Sequence, residues 1–112
     1  MVSLAGKNVW APQPQAWSTA AIGIDRDGRV LFIHARGPYR TYDLTNFLLT
    51  LPLHLCNAMY VEGGPEASLS IHGGGVDLDW VGSYETGFNE NDDNHALWEL
   101  PNVIGVEALP AK

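Results

Sequence analysis

The 112-residue chain is short of cysteine, of positive charge and of long apolar runs. One cysteine, Cys56, rules out an internal disulfide, and its apolar surroundings suit a small buried hydrophobe better than a reactive thiol. Six Lys and Arg stand against thirteen Asp and Glu, a formal charge of −7. That balance speaks against general nucleic-acid binding, which needs clustered cations to displace counterions. It also offers no long-range pull on an anionic substrate, so any phosphate site must build its own local field. No stretch reaches the roughly 18 consecutive apolar residues of a membrane-spanning helix. The opening MVSLAGKNVW lacks the basic start and long apolar centre of a signal peptide, which leaves the compartment open.

What is present reads as one globular domain. Apolar residues make up 46% of the chain, enough for a core at this length, and no low-complexity tract argues for disorder. Residues 1–17, with their PQPQ, read as an extended lead-in, and 18–112 as the domain proper. Ser18–Ile24 and Arg29–Ala35 read as two strands joined by the turn signal DRDG, hence a hairpin. YDLTNFLLTLPL has Leu44, Phe47, Leu48 and Leu51 at helical spacing, Asp43 as a cap and Pro52 as a stop. Short strands are expected over Ala58–Val61, there buried, over Ser68–Ile71, over Val76–Trp80 with Asp77 and Asp79 on the opposite face, and over Asn102–Leu109. ETGFNENDDNH has no periodicity and reads as a functional or mobile loop. The fold class expected is α+β, a largely antiparallel sheet packed on one main helix.

Chemistry concentrates in NAMYVEGGPEASLSI. Glu62 follows an apolar strand and precedes Gly63-Gly64, where a rigid element ends and a loop gives access. Glycines there allow close backbone approach to a ligand, and successive N–H groups in a tight turn can cradle an anion. Glu66 lies four residues on. Two neighbouring carboxylates suit glycoside chemistry, one as acid and one as base or nucleophile. They also suit a hard cation, Ca²⁺ or Mg²⁺. The plainer alternative for each is a solvated acid at a glycine turn. Arg36 and Arg40 bracket GPY as a phosphate clamp or as ordinary loop arginines. His34 and His72 each follow Ile at a strand end and could serve a phosphate oxygen or simply face solvent. No His or Cys spacing indicates zinc, the acidic run Glu85–Asp93 lacks EF-hand spacing, and Ser68 and Ser83 lack a GxSxG context. Trp10, Trp17, Trp80 and Trp98 are core or rim residues, or a platform for a sugar ring.

The order WSTAAIGIDRDGRVLFIHARGPY, a helix, NAMYVEGGPEASLSI and then PNVIGV resembles the phosphodiester glycosidase family. That family includes the enzyme that uncovers mannose 6-phosphate by removing N-acetylglucosamine, and bacterial proteins labelled exopolysaccharide-related. The resemblance places the family's motif aspartate on Glu62 and its first two glycines on Gly63 and Gly64. Gly23 and Gly28 match its hairpin, and Pro101 to Gly105 its closing strand. Pro65 stands for a third glycine, Glu66 for a serine, and Trp98, Glu99 and Leu100 occupy the place of an arginine often found before the closing proline. The longer acid moves its carboxylate outward by one methylene, which alters near-attack geometry.

The resemblance implies hydrolysis of a sugar-phosphodiester bond with Glu62 and Glu66 catalytic. Gly63, Gly64, Arg36, Arg40, His34 and Asn102 would bind a carbohydrate or sugar-phosphate ligand. It runs from about Trp10 to Val106 and reaches only the C-terminal half of the usual family domain, whose intact members are often exported. A fragment is therefore expected, incomplete or inactive alone. The alternatives are a non-catalytic carbohydrate-binding module, or a half-domain stable only as a homo-oligomer or with its missing N-terminal half.

Overall fold

The computed structural model describes residues 1–110. Strands β1 (Trp17–Asp25) and β2 (Val30–Tyr39) are followed by helix α1 (Thr41–Thr50) and strand β3 (Leu55–Gly63). A single 3-10 turn (Gly64–Glu66) leads into the hairpin β4 (Ser68–Gly73) and β5 (Val76–Val81). The architecture is α+β with antiparallel pairing throughout: one sheet in the order β2-β1-β3, the other β4-β5. No helix is long and apolar enough to cross a membrane among the described residues.

The small residues of β1 explain its central place. Ser18, Thr19, Ala20 and Ala21 are all buried, because both faces and both edges of this strand are covered. The turn into β2 is set by Asp25. Its Oδ1 accepts the N–H groups of Asp27 and Arg29, both at 2.9 Å, and Gly28 takes φ +82°. Those bonds, the Arg29 N–H first, hold the Asp25 carboxyl below its usual range.

On one face of the three-stranded sheet, Ala21, Leu55 and Ala58 meet Leu44 and Leu48 of α1 in a single core cluster with Met1 and Val2. Val2 exchanges two backbone hydrogen bonds with Ala58, each 3.1 Å, so the lead-in covers the outer edge of β3. The helix starts earlier than its pattern suggests. Arg40 holds the N-cap position without a side-chain bond, and Asp43 sits in the first turn, where its charge favours the helix dipole rather than capping it. Phe47, expected on the apolar stripe, is exposed.

The structure departs from the sequence pattern at two further places. The run Ala58–Val61 is buried only at Ala58 and partly at Tyr60. Met59 and Val61 are exposed, as alternation on an edge strand with one core-facing side requires. Residues 102–110 form no strand and stay exposed, because no described strand lies alongside to accept their backbone bonds.

A bulge decides which residue reaches the elbow. Ala21 pairs with Tyr60, yet Ala20 pairs with Glu62, so Val61 is the extra residue and Glu62 takes the place Val61 would hold in regular register. The second sheet is a tight hairpin. Gly74 and Gly75, at φ +58° and +81°, form a two-residue turn of the type that needs positive φ at both positions. Leu69, Ile71, Leu78 and Trp80 share one of its faces, and His72, Asp77 and Asp79 the other.

Candidate functional site

β3 ends in an elbow whose glycines are needed by the protein's own side chains. A Cβ on Gly63 would overlap Tyr60 Oη and lie 2.9 Å from Trp17 Cδ1. Gly64, at φ +71°, leaves its side-chain position to Glu85: a Cβ there would overlap Glu85 Oε2 and stand 2.9 Å from Glu85 Cβ. Gly63, Gly64 and Pro65 are buried, while Glu62 and Glu66 remain partly exposed beside them. The Glu62 carboxylate accepts the Gly63 N–H at 3.1 Å, which ties the acid to the turn.

Three carboxylates and a phenol share this corner. Burial, then the charges of Glu66 and Glu62, push the Glu85 carboxyl up from its ordinary value. Burial, followed by Glu62, Glu85 and Glu66, pushes the Tyr60 phenol up to about 12, so it stays a neutral O–H. Trp10 and Trp17 pack on Tyr60 with ring centres 5.6 and 6.3 Å away. Trp17 Nε1 and Thr19 Oγ1 are buried without a protein partner, and Thr19 lies directly across from Gly63 in the sheet.

His34 lies in the same cross-strand row as Glu62, with Ala20 between them, which puts the two Cα atoms roughly 10 Å apart at normal strand spacing. Its Nε2 faces the Ala67 carbonyl at 3.0 Å and therefore carries the hydrogen. Burial, with the Arg36 cation adding to it, pulls the ring below its ordinary value, so His34 is neutral near pH 7.

Arg36 is engaged elsewhere. Its Nη1 donates to the Val81 carbonyl at 2.8 Å, its Nη2 to those of Asp92 and Asn94, and its Nε pairs with Asp92 Oδ1 at 2.9 Å. Those bonds hold the polar loop after β5 in place. The loop is also pinned by Asn89 Nδ2 to the Ser83 carbonyl and Asn94 Nδ2 to the Gly82 carbonyl, both at 2.8 Å. Arg40 lines an open cleft of about 470 Å³ with Pro12, Gln13, Pro14, Tyr42 and Asp43. Asn102 is exposed in the C-terminal segment.

The structure thus gathers Glu62, Gly63, Gly64 and Glu66, sets His34 one strand away, and leaves Arg36, Arg40 and Asn102 with other neighbours. Sequence reasoning missed Glu85, Tyr60 and Trp17 as elbow residues. The pairing of Trp17 with Glu85, across most of the chain, brings that loop to the elbow, and no local motif signals it. Among the described residues no three His, Cys, Asp or Glu are arranged to hold a metal ion.

Residues 1–107 match the family described as phosphodiester glycosidase, which covers nearly the whole chain. No curated protein and no solved structure matches it.

Proposed function

The chain belongs to the phosphodiester glycosidase family, and from that premise we propose that its elbow hydrolyses the bond between a sugar's anomeric carbon and a phosphodiester oxygen. The gathering of Glu62, Glu66 and Glu85 around Gly63-Gly64, where the family's acidic motif falls, carries this reading. Glu62 is the central acid. The bulge at Val61 turns it to the face shared with His34, and the Gly63 N–H fixes one of its oxygens. The carboxylate accepts the proton of the attacking water, and Glu66 assists from the following turn. A neutral donor near the elbow, the Tyr60 O–H, suits a sugar hydroxyl.

The test is release of free sugar from a sugar-1-phosphodiester by the wild type and by Glu62→Gln. Loss of a general base lowers the rate by about 10²–10⁴-fold with the thermal midpoint unchanged. Unchanged turnover removes Glu62 from the mechanism. Saturable sugar binding without turnover by the wild type favours a binding module instead.

A second reading rests on the apolar face of the β4–β5 hairpin. Ile71, Val76, Leu78 and Trp80 are each more than 40% exposed, a patch that suits coverage by a second copy or by further polypeptide. Sedimentation as a monomer, with no binding of an apolar dye, contradicts it.

A further inference from the structure

Resting on the elbow reading, we propose that Glu85, not Glu66, is the acid that protonates the departing phosphate oxygen. Its placement is rigid. Ser18 N–H donates to the Tyr84 carbonyl at 2.9 Å and Thr86 N–H to the Ala16 carbonyl at 3.0 Å, so residues 84–86 run antiparallel to 16–18 with Glu85 opposite Trp17. The Glu85 N–H and carbonyl are both taken by Asn89, which closes the turn behind it. The side chain then lies over Gly64, in the space its missing Cβ leaves, within electrostatic reach of Glu66 and Glu62. Acids held on locked backbone keep the geometry that proton transfer needs.

The environment of Glu85 fits the role of acid: burial and the charges of Glu66 and Glu62 push its carboxyl up from its ordinary value. A carboxyl raised by its surroundings and set near a second carboxylate is the pairing that glycoside cleavage uses. Trp17 Nε1 is buried without a protein partner, and the ring carbon bonded to it, Cδ1, flanks Gly63.

The Glu85 proton passes to the bridging oxygen as the C1–O bond breaks, and the phosphate leaves as a monoester. A water oxygen bonds to C1, and its proton goes to the Glu62 carboxylate. Solvent returns that proton to Glu85.

Two measurements on the whole chain test the assignment. Carbon NMR of carboxyl-labelled glutamate should show Glu85 titrating above the range of an exposed glutamate and moving down in Glu66→Gln. An ordinary Glu85 titration overturns the proposal whether or not turnover is seen. In sugar-1-phosphodiester hydrolysis, Glu85→Gln should lower kcat about 10²–10⁴-fold and abolish the fall in rate on the alkaline side of the pH profile. Glu66→Gln should keep that fall. A wild-type rate and profile in Glu85→Gln, while Glu62→Gln is inactive, overturns Glu85 and leaves the elbow reading standing. A wild type that turns over no such substrate removes both.

Discussion

Gly64→Ala tests whether the elbow is built around Glu85. Two penalties apply at once. A non-glycine residue at φ +71° meets the left-handed penalty of about 1–2 kcal/mol. The new methyl must also displace a side chain whose Oε2 it overlaps and whose Cβ lies 2.9 Å away. Forcing an extra methyl into packed structure adds about 1–3 kcal/mol. The sum, roughly 2–5 kcal/mol, is a large part of the roughly 5–15 kcal/mol that stabilises a domain of this kind. Gly74→Ala is the control. It has φ +58° and nothing within 4 Å, so only the conformational penalty of roughly 1–2 kcal/mol applies. Urea denaturation followed by far-ultraviolet circular dichroism measures both. With a slope of about 1.5 kcal/mol per molar, Gly64→Ala shifts the midpoint by roughly 1–3 M and Gly74→Ala by about 1 M. In a Glu85→Ala background the carboxyl overlap is gone and only the Cβ contact remains, so the loss on Gly64→Ala should shrink by about 1 kcal/mol. Equal shifts for the two glycine variants, with no change in the Glu85→Ala background, would refute the packing of Glu85 on Gly64.

Other perturbations probe the rest of the fold. Arg36→Ala frees the loop after β5 and should destabilise by about 2–3 kcal/mol in the same assay; Arg36→Lys recovers only part of it, since one ammonium cannot reproduce the fork. Thr19→Val replaces a buried, unpartnered hydroxyl in a central strand and should raise stability by about 1 kcal/mol. The two strand histidines act in opposite senses on pH. His72 is bonded to Asp79 and Asp77, which raise it above its ordinary 6.5. Its contribution is therefore full below pH 6.5 and lost as pH rises through the folded value. His34 is lowered by burial, so its contribution holds above pH 6.5 and is lost as pH falls through its folded value. Proton NMR of the two ring C–H signals should place His72 above 6.5 and His34 below it; the reverse order contradicts both environments.

Much of the fold was legible in local chemistry. The DRDG turn and the spacing of Leu44 and Leu48 each carry their own instruction: a short acid that bonds the next N–H groups, and a 3.6-residue stripe. Elements whose fate rests on a neighbour were not legible. Residues 102–109 have the composition of a strand yet pair with nothing described, because a strand exists only where another strand takes its bonds. Arg36 reads as a phosphate clamp until its partners in the loop after β5 are seen.

Residue order alone dictates that an acid, two glycines and a proline follow an apolar strand, and hence that a sharp corner with a carboxylate lies at a strand's end. It also determined the family, through residues spread from 1 to 107. Tertiary structure alone decided which acids meet there. The bulge at Val61 turns Glu62 to the face of His34, and the pairing of Trp17 with Glu85 carries a distant loop onto Gly64. Both are matters of register between strands far apart in the chain, and one residue of slip exchanges the faces, which no local pattern can specify.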